Sequence, residues 1–344
     1  MLLNYFKKQS ALNKMENKMI KSRNAILFVV MLLNFNLMTA MDKNLESGIE
    51  SFEKKDYNTA KILINKSLKQ NDESPIANHY FGRILFNEKN YDEAIDYFKE
   101  AVEYDDKNTD YYLWLAKAYT SEINNVSFIS KGIYSSKAMS NLEESIKLDP
   151  SNVEARHYLA MFLFQAPAIA GGDKDEAWKQ TDKVLELDKQ QGLSLKAVFY
   201  KLEEQFDKAL EIYNEQIVLD PKNVGLYYSI GLIYQSQKSF DKAFKSFEKA
   251  VEIDKTAYAS LYQIGRTAVY SSSNFDKGII ALTNYIENAV IKGSLPPIDG
   301  AHWRLGSIYK LKGDKIKAKK HFEIAIKLNP DKDSYKKDLE DLDS

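Results

Sequence analysis

In the stretch DEAIDYFKEAVEYDDK (Asp92–Lys107), acids and lysines recur at helical spacing around apolar residues. That is the pattern of a helix with one solvated face. The surrounding segment, YFGRILFNEKNYDEAIDYFKEAVEYD (Tyr80–Asp105), aligns without a gap to SIGLIYQSQKSFDKAFKSFEKAVEID (Ser229–Asp254) and to RLGSIYKLKGDKIKAKKHFEIAIKLNP (Arg304–Pro330). Each segment reads as a helix, a short polar turn and a second helix. The polar tail DSYKKDLEDLDS (Asp333–Ser344) carries Tyr335, Leu339 and Leu342 at helical spacing and predicts one more helix over the last pair.

The register runs along most of the chain. A small residue falls in each first helix at Gly48, Gly82, Ala116, Ala160, Ala197, Gly231, Gly265 and Gly306. A second series opens the second helices at Ala60, Ala94, Ala138, Ala177, Ala209, Ala243, Gly278 and Ala318. An aromatic three residues before that position recurs as Tyr57, Tyr91, Phe206, Phe240 and Phe275, and a closing proline as Pro150, Pro221 and Pro330. Two packed helices need small residues where their backbones approach. Tyr119, Tyr234, Tyr309, Phe98, Phe247 and Phe322 are expected to fill the space between pairs. Asn90 or Asp92 can cap a second helix, and proline stops one because it lacks the N–H. One pair cannot bury its apolar face alone, whereas stacked pairs can.

These residues resemble the tetratricopeptide repeat, a 34-residue helix–turn–helix with small residues, aromatics and a closing proline at set places. The resemblance implies an all-α fold: a right-handed α-solenoid of about eight helix pairs over residues 41–332, with a C-terminal capping helix over 333–344. It also implies a concave face built mainly from first helices. Carried over, the inner positions are His79, Arg83, Lys117, His157, Met161, Tyr228, Leu232, Tyr262, Arg266, Trp303 and Ser307. The expected protein-binding groove consists of His79, Arg83, Lys117, His157, Tyr228, Tyr262, Arg266 and Trp303, since Tyr, Trp and Arg make binding hot spots. The Lys and Asn clamp that this family uses for chaperone tails has no counterpart at Leu45 and Ile49.

Three stretches lengthen the 34-residue step: 121–137, 166–172 and 292–300. The first two fall between the helices of a pair and are expected side by side on one edge; the third falls between pairs. Within the second, APAIAGGDKDEAW (Ala166–Trp178) raises the question of a phosphate loop. Such a loop needs G-x-x-x-x-G-K-[ST] after a strand, whereas Gly171-Gly172 precede Asp173. The stretch is therefore read as an inserted turn, with Asp173 or Asp175 capping the next helix. It also resembles a loop of some exported bacterial tetratricopeptide proteins, including ones associated with periplasmic transporter components.

Residues 1–40 differ from the rest. Lys18, Lys21 and Arg23 precede the apolar run AILFVVMLL (Ala25–Leu33), and NFNLMTA leads to Ala40. A positive start, a short apolar core and a small closing residue predict a secretory signal peptide cleaved near Ala40, with Met15 or Met19 as an alternative start. The other reading of the same residues is an uncleaved anchoring helix. Residues 1–40 hold six Lys/Arg and one Glu, which leaves 42 basic and 48 acidic residues, net −6, in the remainder. That balance carries no basic footprint for nucleic acid.

The chain has no cysteine, which excludes disulfides and thiolate chemistry. Its four histidines, His79, His157, His302 and His321, follow the repeat and form no metal-binding or triad motif. The expectation is an exported, periplasmic or secreted, non-enzymatic scaffold that needs no cofactor or metal and binds a protein or peptide. The alternative is a solute-binding accessory subunit of a periplasmic transporter, with a small-molecule ligand held inside the superhelix.

Overall fold

The computed structural model describes residues 42–291 and 295–343. The expected signal peptide and residues 292–294 of the third stretch lie outside them. Among the described residues are 17 α-helices and no strand. The chain divides into two compact units, one ending at Ala177 and one beginning at Trp178.

In the first unit, α1 (Lys43–Glu53) pairs with α2 (Tyr57–Leu68), α3 (Pro75–Asn87) with α4 (Tyr91–Tyr104), and α5 (Thr109–Glu122) with α6 (Phe128–Leu148). Next come α7 (Val153–Gln165) and the first turn of α8 (Lys174–Leu187). The second unit holds the remainder of α8. It continues with the pairs α9 (Lys189–Leu202) and α10 (Phe206–Leu219), α11 (Val224–Ser236) and α12 (Phe240–Ile253), α13 (Tyr258–Ser271) and α14 (Phe275–Asn288), and α15 (Ile298–Leu311) and α16 (Lys315–Leu328). α17 (Asp333–Asp343) closes it. The helices thus form paired repeats of the tetratricopeptide-like solenoid class.

Each pair is locked at the small positions. A Cβ on Gly82 would stand 2.7 Å from the Phe98 ring, on Gly231 2.5 Å from Phe247, and on Gly306 2.6 Å from Phe322. All three phenylalanines are fully buried. They fill the gap within their own pair, opposite the glycine, and not only the space between pairs. Five turns into a second helix share one backbone form: Lys55, Lys89, Glu204, Lys238 and Gly313, each two residues before the second helix, have φ between 57° and 80°, whereas the turn into α14 carries positive φ at Ser272 and Asn274. The aromatic of the register is then the first helical residue, as with Tyr57, Tyr91 and Phe206. Caps vary. Asp56 accepts a hydrogen bond from the Thr59 N–H, whereas Asn90 sits at the cap position without a side-chain cap bond and donates to Glu93 instead. Pro150, Pro221 and Pro330 stand two residues beyond the ends of α6, α10 and α16.

The insertions resolve into two different things. Residues 121–137 are not a simple loop: Ser127 caps a helix through the Ser130 N–H, and α6 runs 21 residues where most second helices run 14. Residues 166–172 are a tight turn around a short 3-10 helix (Ala168–Ala170) that packs on α6. Gly171 has φ +90°, and a Cβ on Gly172 would fall 1.8 Å from the Ala166 carbonyl oxygen, so glycine is required at both. The Asp173 carboxylate accepts from the Glu176 N–H at 3.0 Å and caps α8. The turn meets the long α6, with Gly171 facing Met139. Pro297 and Ile298 of the third stretch lead directly into α15.

First helices of consecutive repeats also touch one another: α1 with α3 and α3 with α5 in the first unit, α11 with α13 and α13 with α15 in the second. Side chains of consecutive first helices are thereby brought together within each unit.

Candidate binding face

In the first unit the expected inner residues converge on one set of rings. The Arg83 guanidinium carbon lies 4.6 Å from the ring centre of Phe52, 5.0 Å from Tyr80 and 4.8 Å from Trp114. Its Nε is buried without a hydrogen-bond partner, and among the described residues Arg83 makes no ion pair. Lys117 is buried, with its Nζ 4.2 Å from the Trp114 ring centre and 4.8 Å from Tyr158. It pairs with Glu154 of the next repeat at 2.6 Å. A cation over a ring face is held by the ring quadrupole, more strongly when desolvated. His79 is buried among Tyr111, Tyr80, Phe98 and Trp114, with its Nδ1 unpartnered. Burial, then the charges of Arg83 and Lys117, push its pKa down to about 3, so the imidazole is neutral at pH 7. His157, half-buried on α7, has an unpartnered Nδ1 and a pKa lowered by burial; its ring lies 6.3 Å from Tyr158.

In the second unit the expected residues separate. Tyr228 is half-buried and leans on Phe247 of its own pair, 6.0 Å between centres. Tyr262 is buried and accepts a 2.6 Å hydrogen bond from Nη1 of Arg304, a residue outside the expected set. The Arg304 guanidinium carbon is 4.6 Å from the Tyr262 ring centre and 5.1 Å from Trp303. Arg266 donates through Nε to the Tyr270 hydroxyl at 2.9 Å. Trp303 turns to the C-terminal helix: its Nε1 donates to Asp338 at 2.7 Å and its ring stacks on Tyr335 at 5.7 Å. Met161, Leu232 and Ser307 are half-buried, and Ser307 donates back to the Trp303 carbonyl.

The residues that sequence reasoning missed share a register position. The expected ones stand three residues before or one after the small residue of the first helix. Tyr80, Trp114, Tyr158 and Arg304 stand two before it. Two before and one after are three residues apart, neighbours on one helix face. Tyr80 therefore meets Arg83, and Trp114 meets Lys117. A compositional cue also points there. The chain has five arginines against 43 lysines. The four described arginines, Arg83, Arg156, Arg266 and Arg304, all lie on first helices, and three of them stand over aromatic rings. Lysine serves nearly everywhere a solvated charge suffices; arginine stands where a planar, stacking cation with fixed donors is distinctive.

Other chemistry is sparse. Among the described residues no group of three or more His, Cys, Asp or Glu could hold a metal ion. His302 and His321 approach through their Nδ1 atoms at 3.1 Å, and the His321 ring stacks on Tyr309. Burial and the neighbouring His302 lower the His321 pKa to about 4. No described helix is long and apolar enough to cross a membrane.

Fold and face together define a helical-repeat scaffold with cation–aromatic clusters on its first helices. Residues 75–108, 224–256 and 300–332 match tetratricopeptide-repeat models, so the chain carries tetratricopeptide repeats. Among curated proteins it is similar to the antiviral innate immune response effector IFIT1 of Macaca fascicularis, 24% identical over 245 residues. That alignment takes in 70% of this chain and 45% of the relative, so the chain spans about half the length of the curated relative it matches. Among solved structures, the human IFIT1 dimer with PPP-AAAA is 20% identical with a TM-score of 0.50, covering 86% of this chain and 72% of that one. A tetratricopeptide repeat protein from Parabacteroides merdae is 15% identical with a TM-score of 0.49, covering 88% of this chain and 98% of that one. Likeness at these identities concerns the fold alone.

Proposed function

We propose that this chain is an exported, non-enzymatic scaffold that binds a protein or peptide on the faces made by its first helices. The observation that carries the reading is the placement of Arg83, Arg266 and Arg304 over aromatic rings, with no carboxylate paired to any of them among the described residues. Stacked arginine and half-buried aromatics are the groups that contribute most at protein interfaces. A face preset by helix packing loses little ordering entropy when a partner arrives. The net charge of −6 over residues 41–344 weighs against a nucleic-acid partner. Export rests on the charged start, short apolar core and small residue within 18–40.

The test is fractionation of cells expressing the full chain, followed by cross-linking and capture. The expected result is a processed species starting near Met41, recovered from the envelope with one dominant protein. A species that keeps its N-terminus in the cytosol would remove export. Absence of any protein partner would remove the scaffold.

A further inference from the structure

We propose that the first turns of α6 are a membrane-contact tip that dips into an anionic phospholipid surface. The inference goes beyond the scaffold reading and uses none of the faces made by the first helices.

The extension of α6 is held on one side. Tyr134 packs edge-on against Tyr119 at 5.3 Å, and Ser135 and Ala138 are buried. The other side carries Phe128, Ile129 and Ile133, which are 90%, 82% and 53% exposed. Positions 128, 129, 132, 133 and 136 fall on one arc of a helix with 3.6 residues per turn. Gly132 and Ser136 occupy the remaining places, so the arc bears no charge. The Ser127 cap directly before Phe128 fixes that ring on the first turn. Phe128 and Ile129 therefore project from the tip into solvent. A fluid hydrocarbon layer receives projecting side chains without a shaped pocket, and the gain scales with the apolar area removed from water.

Charge identifies the surface. No acid occurs between Glu122 and Glu143. Lys131 and Lys137 stand at the two flanks of the arc, and among the described residues neither pairs with a carboxylate. The Lys137 ammonium lies 5.4 Å from the Tyr119 ring centre. Lysine stems lie along an apolar layer while their ammonium groups stay among the headgroups, and each adds attraction to an anionic leaflet. Glu122, the acid at the end of α5, accepts a 3.0 Å hydrogen bond from Asn125. The acids of α6 itself, Glu143 and Glu144, lie about 22 Å along the helix from Phe128 at 1.5 Å per residue. Screening reaches about 8 Å at physiological salt, so the net charge of −6 over residues 41–344 leaves the tip free to approach.

Exposure alone does not make such a site. Val218 and Leu219 are also exposed side by side, at 79% and 55%, but Glu215 and Asp220 bracket them. Ionised carboxylates there would be repelled by the headgroups and would lose water on entry.

The absence of cysteine makes the test direct, because one introduced thiol takes one label. The full chain carries an environment-sensitive nitrobenzoxadiazole dye at Ile129→Cys or, as a control, at Val218→Cys. Each is titrated with vesicles of phosphatidylcholine alone or mixed with phosphatidylglycerol. The label at 129 is expected to brighten and shift to the blue on mixed vesicles, and to be quenched by nitroxide-bearing acyl chains. The label at 218 is expected to stay as in water. Phe128→Ser, with helicity unchanged by circular dichroism, is expected to lower the inserted-to-free ratio of the label at 129 about tenfold or more. Lys131→Gln combined with Lys137→Gln is expected to lower it about fivefold or more on mixed vesicles and to leave phosphatidylcholine alone unaffected. The proposal is overturned if the label at 129 stays in water, even when another segment brings the chain to the vesicles. It is also overturned if both labels respond alike, or if the signal at 129 follows protein concentration without lipid, which would make the tip a contact between two copies. The scaffold is judged separately, by capture of a partner at α11, so the tip can fall while the scaffold stands.

Discussion

Lys117 and Glu154 join consecutive repeats of the first unit through a 2.6 Å ion pair in which the lysine is 6% exposed and the carboxylate 58%. The lysine's other neighbours are the rings of Trp114 and Tyr158. Removing the carboxylate leaves a buried cation with rings alone for company. Glu154→Gln is therefore expected to destabilise the chain by about 1–3 kcal/mol, below the full cost for a wholly buried pair because Glu154 is half in water. Lys117→Met removes the charge itself and is expected to cost less than Glu154→Gln. Urea unfolding midpoints of the two variants rank them; the reverse order would contradict the account.

The glycine–phenylalanine locks make a second contrast. Gly231→Ala forces a methyl against the Phe247 ring and is expected to destabilise by about 1–3 kcal/mol, as overpacking does. Gly132, on the extension of α6, has open space within 4 Å of where a methyl would stand. Gly132→Ala is expected to stabilise by about 0.5–1 kcal/mol through helix propensity alone. Thermal unfolding of the two variants should move in opposite directions.

This contrast also shows what the sequence made legible. The small residue of each first helix can be read because close backbone approach admits little else, and Gly82, Gly231 and Gly306 face buried rings as that logic requires. The long α6 is harder to read. Its extra turns begin at a serine cap, Ser127, and then run through Phe128 and Ile129, which are 90% and 82% exposed, so no buried face marks them as helix. The proposed binding face is half legible. The register leads to His79, Arg83 and Lys117, but Trp114 and Arg304 lie outside the rows that the family resemblance supplies. Trp303 cannot be placed without knowing that α17 lies against it.

Buried neutral histidine gives a pH signature. The folded-state pKa of His79 is about 3, below the ordinary value of 6.5, so the unfolded chain takes up a proton in that window and the folded chain does not. Stability is thus fully present above pH 6.5 and falls as pH drops toward 3, by about 1.4 kcal/mol per pH unit for each such site. His321, lowered to about 4, adds to the slope over its own window. His79→Phe is expected to flatten the dependence between about pH 6 and pH 4, measured by denaturant unfolding at fixed pH. An unchanged slope would contradict the burial of a neutral imidazole.

The C-terminal helix is held by Tyr335, which donates to the buried Asp299, by Asp338 on the Trp303 indole, and by Leu342, buried beside Phe322. Deleting residues 333–344 uncovers Trp303 and strips Asp299 of a donor. The expected result is a red-shifted tryptophan emission and a lower unfolding midpoint for the second unit, with the first unit's midpoint unchanged. Asp338→Asn, which retains an oxygen acceptor, is expected to show a smaller effect in the same direction.

The central claim is that the first helices carry the partner. A photoreactive phenylalanine is placed at Tyr228 on α11, at Val218 on the exposed side of α10, or at Ile169 in the inserted turn, the last two being 79% and 98% exposed. Irradiation in cells should cross-link one dominant protein from Tyr228 and none from the other two sites. Capture of that protein at Ile169 or Val218, with Tyr228 silent, would contradict the account and move the interface to the edge or the outer surface.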